Sequence, residues 1–198
     1  YLDTTPMAEQ LERAVHALRQ SEATDQGPAA PINQQRIGIL DKMRPAVSPN
    51  LNADLRREIG LRGDDWLILQ PTRVVARKGI EHAIELVRRL NDPRAKLVIS
   101  HPAGDEGSAY LQMLRDRIDD AKIDVCFIDD RVSEERGVNA QGKKVYTLFD
   151  VYPHADLVTY PSHYEGFGNA FLEAIYFGKP VVVNTYAVYA RDIDPLGF

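Results

Sequence analysis

The sequence predicts an α/β fold in which helices cover both faces of a doubly wound parallel sheet. Two observations lead to this prediction. From residue 51 onward, short apolar segments alternate with longer segments whose apolar residues recur at helical spacing. The short segments are continuously apolar, which is typical of strands that are buried on both faces. Separate strand-rich and helix-rich blocks, which would indicate another class, do not fit this order.

The predicted elements follow one another at short intervals. The strands are expected at residues 66–70, 96–100, 124–128, 156–160 and 180–184. A short first helix is predicted from a cap at Asn52 to a stop at Gly60. Further helices are expected around residues 80–90, 111–118, 143–151 and 168–177.

The first fifty residues have a different character. We expect an amphipathic helix within residues 1–20, because Leu11, Val15 and Leu18 recur at helical spacing, and we assign it to an adjoining lobe. Residues 21–50 lose this periodicity and collect Ser, Gly and Pro, so they are predicted to form a linker. The main domain is expected at residues 51–198. Because the chain starts without a methionine and stops at Phe198, we interpret it as a fragment that is truncated at its C-terminus.

Composition excludes several classes of protein. With 24 Lys and Arg against 29 Asp and Glu, the net charge is −5, which argues against a general nucleic-acid binder. No apolar run approaches the ~20 residues of a membrane-spanning helix. The single cysteine, Cys126, excludes a disulfide framework and fits a reducing cytoplasm. The five histidines are scattered without metal-ligand spacing, so no metal site is predicted.

Cationic residues follow the first predicted strand. Arg73, Arg77 and Lys78 lie in the turn that leads to the next helix, beside Gly79, which allows a ligand to approach the backbone. Such cations suit a diphosphate, because it can accept both bidentate and single charge-assisted hydrogen bonds. Taken alone, this loop is equally well interpreted as an ordinary solvated basic turn.

The loop after the fourth predicted strand carries glycines and carboxylates. Gly166 and Gly168 open a helix whose unpaired amides and dipole can hold an anion. Glu165 precedes this helix, and Glu173 lies within it on the face of Asn169, so Glu173 is not forced into the core. Both carboxylates could accept hydrogen bonds from sugar or ribose hydroxyls. The alternative is one capping glutamate and one solvated glutamate.

These residues form a combination of motifs, namely Arg73 with Lys78-Gly79, Pro161-Ser-x-x-Glu165-Gly-Phe-Gly168, Glu173-Ala174 and Gly178-x-Pro180-Val-Val. Seven residues separate the two glutamates. From Leu51 to Asn184 the chain closely resembles the C-terminal, donor-binding lobe of the retaining GT-B glycosyltransferases of family 4 (group 1), which is Rossmann-like. Residues 69–75 and 184–190 are similar to the mannosylglucosylglycerate synthase-like members.

The resemblance implies a hexosyltransferase in the full-length protein, with a UDP- or GDP-linked sugar as donor and a hydroxyl acceptor. Arg73 and Lys78 would neutralise the departing diphosphate, and Glu165 would contact hydroxyls of the transferred sugar. No cofactor or metal ion would be required, because preorganised cations can stabilise the leaving group. The acceptor would be bound mainly by an N-terminal lobe, so the fragment alone is expected to be inactive.

The resemblance also implies binding roles. Glu173 would bind the ribose, and Arg131 and Val132 would read the base after the third strand. The amides expected to hold the diphosphate belong to Gly166, Phe167, Gly168 and Asn169. In the last loop, the Gly-Gly and Glu that are usual in the family are replaced by residues 184–191, Asn-Thr-Tyr-Ala-Val-Tyr-Ala-Arg. A non-catalytic nucleotide-sugar-binding or interaction module and an isomerase of the nucleotide-sugar epimerase type remain alternatives.

Overall fold

A computed structural model describes residues 52–104, 108–166 and 168–196. The predicted helix at residues 1–20 and the linker at residues 21–50 lie outside the described residues. Among the helices of the described part, none is both long enough and apolar enough to cross a lipid bilayer.

A parallel sheet forms the centre of the domain, and this confirms the predicted α/β class. Its five strands are arranged in the order β3-β2-β1-β6-β7, and a separate two-stranded hairpin contains β4 and β5. The strands are β1 (Trp66–Gln70), β2 (Ala95–Ile99), β3 (Asp124–Phe127), β4 (Gly137–Val138), β5 (Lys144–Val145), β6 (Leu157–Tyr160) and β7 (Val181–Val183). Each predicted strand of the main sheet matches its observed bounds to within a residue at either end.

Helices lie between the strands. They are α1 (Leu55–Glu58), α2 (Ile80–Leu90), α3 (Ser108–Ala121), α4 (Leu148–Val151) and α5 (Asn169–Tyr176). The first helix begins later than predicted, because Asn52 adopts a left-handed backbone with φ of 66° and lies before a turn. Gly60, with φ of 85°, follows α1 as the expected left-handed stop.

The single helix predicted for residues 143–151 is wrong. Lys144 and Val145 instead form β5 and pair with β4, while α4 begins only at Leu148. The hairpin turn is stabilised by the Asn139 side chain, whose Oδ1 accepts hydrogen bonds from the amides of Gln141 and Lys143 at 3.1 and 2.9 Å. These local hydrogen bonds compete with helix formation, which is a general property of asparagine side chains.

Two apolar clusters cover opposite faces of the sheet. Successive residues of β1 point to opposite faces, so Leu67 and Leu69 belong to one cluster and Ile68 belongs to the other. The Ile68 cluster packs against α2 and α3, and the Leu67 cluster packs against α1, α4 and Ala174 of α5. Because both faces are buried, the ends of the strands are the parts of the sheet that remain open to a ligand.

Candidate functional site

The site lies where the strand order reverses. β1 and β6 are neighbours in the middle of the sheet, and the chain extends from β1 toward β2 on one side and from β6 toward β7 on the other. In open α/β sheets, ligands bind beyond the carboxyl ends of the strands at such a point. The loops that follow β1 and β6, residues 71–79 and 161–168, meet at this position.

Close backbone packing joins the two loops. Gly79 has φ of 60°, and a β-carbon added to it would overlap the carbonyl oxygen of Pro161, so no larger residue fits without movement. The amide of His163 donates a hydrogen bond to the carbonyl of Arg77 at 2.9 Å. Asn184, beyond β7, donates from Nδ2 to the carbonyl of Pro161 at 2.9 Å. The cationic loop and the glutamate-bearing loop are therefore held in a fixed relation.

The cations converge on one carboxylate. Oε1 of Glu165 accepts hydrogen bonds from Nη1 of Arg77 at 2.9 Å and from Nζ of Lys78. The Lys78 side chain is buried, and its ammonium lies 5.4 Å from the centre of the Tyr160 ring. Burial lowers the pKa of Lys78, although its pairing with Glu165 opposes this shift. Arg73 is exposed, and no carboxylate of the described residues pairs with it.

A tightly packed glycine stands at the start of α5. Gly168 has φ of 92°, and a β-carbon there would lie 2.9 Å from the hydroxyl oxygens of both Tyr160 and Tyr186. The first turn of α5 is thereby held against the end of β6, and the first amides of a helix have no intrahelical partner. The other predicted amide donors are Gly166 and Asn169, which are exposed, and Phe167, which lies outside the described residues.

Glu173 is more buried than its place on the helical wheel suggested. It is half-buried on α5, and its Oε2 accepts a hydrogen bond from the hydroxyl of the fully buried Tyr152 at 2.8 Å. Burial raises the pKa of Glu173 to about 7, and the hydrogen bond from Tyr152 only partly offsets this effect. A carboxyl group with this pKa changes its protonation state near neutral pH, and so it can either accept or donate a hydrogen bond there.

The structure places the predicted base-reading residues in a bracing role. Arg131 is buried, and its guanidinium donates to the carbonyls of Lys144 and Glu58 at 2.8 Å each. It thus links α1 to β5. Val132 forms a β-bridge with Tyr146 and is partly buried. The main chain of Arg131 is engaged as well, because its amide donates to the carbonyl of Ile128 at 2.9 Å and its carbonyl accepts from the amide of Tyr146 at 2.8 Å.

A buried polar network was not anticipated from the sequence. Nε2 of Gln70 donates to Oγ1 of Thr72 at 2.8 Å, and Oγ1 of Thr159 donates to Oε1 of Gln70 at 2.7 Å. The network joins the carboxyl ends of β1 and β6 beneath the cationic loop. Nearby, burial lowers the pKa of His101, and the charges of Arg73 and Lys78 act in the same direction. A polar residue that ends an apolar strand, as Gln70 does, is the sequence signal for such a network.

The sequence model of the family described as "Glycosyl transferases group 1" matches residues 52–193. The chain belongs to this family. Among its curated relatives is the mannosylglucosylglycerate synthase of Petrotoga mobilis, which is 33% identical over 187 residues that cover 84% of this chain and 40% of the relative. The synthase of Thermotoga maritima is 28% identical over 174 residues, which cover 80% of this chain and 39% of the relative. This group 1 chain therefore spans about two fifths of these relatives' length.

Solved structures confirm the fold as that of a GT-B glycosyltransferase C-terminal domain. Anabaena Alr3699/HepE in complex with UDP has a TM-score of 0.61 at 21% identity, over 75% of this chain and 38% of that chain. The C-terminal domain of the group 1 glycosyl transferase LpcC from Francisella tularensis has a TM-score of 0.54 at 20% identity, over 71% of this chain and 68% of that chain. At this level of identity the likeness concerns the fold.

Proposed function

We propose that this chain is the donor-binding domain of a retaining, cytoplasmic glycosyltransferase of family 4. The enzyme would transfer a hexose from a nucleoside-diphosphate sugar of the UDP-glucose or GDP-mannose type to a hydroxyl acceptor. The observation that carries the proposal is the convergence of Arg77, Lys78 and Glu165 beside the start of α5, at the reversal of strand order. HepE, which shares this fold, has been solved with UDP-glucose.

The proposed step is departure of the diphosphate from the sugar. Negative charge grows on the departing phosphate while positive charge grows on the anomeric carbon. Three cations, Arg73, Arg77 and Lys78, would stabilise the charge on the phosphate together with the first amides of α5. These groups are already in position before the reaction starts, so no reorganisation is needed as the charge develops. With these cations present, neutralising the leaving group requires no metal ion. We assign no protein nucleophile, and front-face attack assisted by the departing phosphate accounts for retention.

The carboxylates would recognise hydroxyl groups. Glu165 would exchange its contacts with Arg77 and Lys78 for hydroxyls of the transferred sugar once the diphosphate occupies the cations. Glu173, about one helical turn past the start of α5, would bind the ribose. The base would be read beside Arg131, chiefly through the main chain of Val132. The acceptor would be bound mainly by an N-terminal lobe, to which we assign residues 1–20, so this chain alone would bind the donor without turnover.

Calorimetric titration with UDP, GDP, UDP-glucose and GDP-mannose tests this proposal. A charge-assisted contact contributes about 1.5–3 kcal/mol, so Lys78→Ala should weaken binding of the preferred ligand roughly 10- to 100-fold. Arg89→Ala is the matched control, because Arg89 is a cation at the far end of α2 whose side chain is 75% exposed. Equal affinity of Lys78→Ala and wild type for the preferred ligand would refute the diphosphate assignment.

A further inference from the structure

Three potential metal ligands from two segments that are distant in sequence meet beside the two site loops. Glu81, His82 and His163 each offer one ligand atom, and these atoms all lie within 4.8 Å of one another. Glu81 and His82 belong to the first turn of α2, and His163 lies in the loop after β6. The spacing of histidines along the chain gave no sign of this group, because it is assembled by the packing of the two loops.

The distances suit a tetrahedral metal ion. Nε2 of His163 lies 3.5 Å from Oε1 of Glu81. Two ligand atoms at about 2.0–2.1 Å from one tetrahedral Zn²⁺ are separated by about 3.3 Å, so this pair needs little adjustment. The rings of His82 and His163 are edge to face, with centroids 5.4 Å apart. A β-carbon on Gly79 would lie 3.2 Å from Cδ2 of His82 and 3.3 Å from Nε2 of His163, so the glycine leaves both imidazoles room to approach.

The carboxylate of Glu81 is oriented by a partner outside the group. The hydroxyl of Tyr110 donates a hydrogen bond to Oε2 of Glu81, and the amide of Ile80 donates to that hydroxyl at 2.8 Å. One carboxylate oxygen is thus fixed from the α3 side, while Oε1 faces His163. Metal-binding side chains are typically oriented in this way by an outer hydrogen-bond partner.

We propose that Glu81, His82 and His163 bind a Zn²⁺ ion, with the fourth coordination position open to solvent. One carboxylate and two imidazoles form a ligand set that Zn²⁺ commonly takes. The ion would connect the first turn of α2, directly after Lys78 and Gly79, to the loop that carries Glu165. It would therefore fix the spacing between the cations and the glutamate. This proposal does not depend on the proposed glycosyl transfer.

Competition between the metal-free protein and a chromophoric chelator for Zn²⁺ at neutral pH tests the site. We expect one ion per chain. Each of the ligand variants should bind Zn²⁺ about 10- to 100-fold more weakly than wild type, or weaker still; they are Glu81→Gln, His82→Asn and His163→Asn. Tyr110→Phe removes only the outer hydrogen bond and should weaken binding about tenfold. Glu85→Gln is the control, because Glu85 lies one turn later on α2 and pairs with arginines; its affinity should equal that of wild type.

Two results would overturn the proposal. The first is wild-type protein that competes for Zn²⁺ no better than the three ligand variants do, which would leave the 3.5 Å approach of Glu81 and His163 as a contact without a metal ion. The second is Co²⁺-loaded wild type that lacks the intense visible absorption of a tetrahedral complex. Circular dichroism of each metal-free variant reports whether the substitution impairs folding. The Co²⁺ spectrum is recorded on wild type, so it remains decisive even if a variant does not fold.

Discussion

Replacing Gly79 with alanine should destabilise the domain and force the two site loops apart. The added β-carbon would overlap the carbonyl of Pro161, and the backbone of Gly79 has φ of 60°. The left-handed conformation alone costs a non-glycine residue about 1–2 kcal/mol. Forcing a methyl group into a packed contact adds about 1–3 kcal/mol. We therefore expect the free energy of unfolding to fall by about 2–5 kcal/mol.

Two other glycines separate these contributions. Gly60 has φ of 85° but no atom within 4 Å of its added β-carbon, so Gly60→Ala should show only the backbone strain of about 1–2 kcal/mol. Gly63 also has open space and lacks the left-handed φ, so Gly63→Ala should be neutral or stabilise by up to about 1 kcal/mol. Urea unfolding followed by circular dichroism measures all three variants. A loss in Gly79→Ala no greater than in Gly60→Ala would refute the close packing of the loops.

Two further predictions concern groups buried near the site. The pKa of Glu173 is about 7 in the folded protein, against the ordinary value of 4.5 that we take for the unfolded chain. As pH rises, the unfolded chain therefore loses this proton first, and the free energy of unfolding should fall between about pH 4.5 and pH 7. Urea unfolding at pH 5 and pH 8 should show that the free energy of unfolding declines by about 2–3 kcal/mol because of this group. The decline should be absent in Glu173→Gln and should persist in the control Glu134→Gln, whose side chain is exposed. Arg131→Lys should lower the free energy of unfolding by about 2–3 kcal/mol, because it loses the hydrogen bonds to two backbone carbonyls. The exposed Arg57→Lys should change it little, and equal losses in the two lysine variants would contradict the bracing role.

The strands of the main sheet were predictable because burial on both faces leaves continuous apolar runs such as Leu67–Leu69. The β4–β5 hairpin was not, since two-residue strands carry no periodicity and the turn depends on one asparagine side chain. The general position of the site followed from the rule that ligands bind at the carboxyl ends of parallel strands. Elements with a repeating apolar pattern, such as the strands of the main sheet, are therefore predicted well. Elements that depend on a single side chain, such as the β4–β5 hairpin, are predicted poorly.

Within the site, residue types were predictable and their pairings were not. The spacing of Arg73, Arg77 and Lys78 indicated a cationic loop, but only the structure shows that Arg77 and Lys78 are the two that contact Glu165. Arg131 illustrates the same limit, because the direction of a long side chain depends on distant carbonyls that spacing along the chain does not reveal.

The ion pairs of Glu165 make this carboxylate an internal counter-ion. Its single negative charge already offsets one of the two positive charges of Arg77 and Lys78, so a diphosphate bound to these cations as proposed would replace a protein group in part and would release fewer dissolved anions. The affinity should then depend on ionic strength less steeply than binding to solvated cations does. The proposed exchange would also impose an order on recognition, because Oε1 of Glu165 would become free to accept a hydrogen bond from a hydroxyl only after phosphate has taken its place.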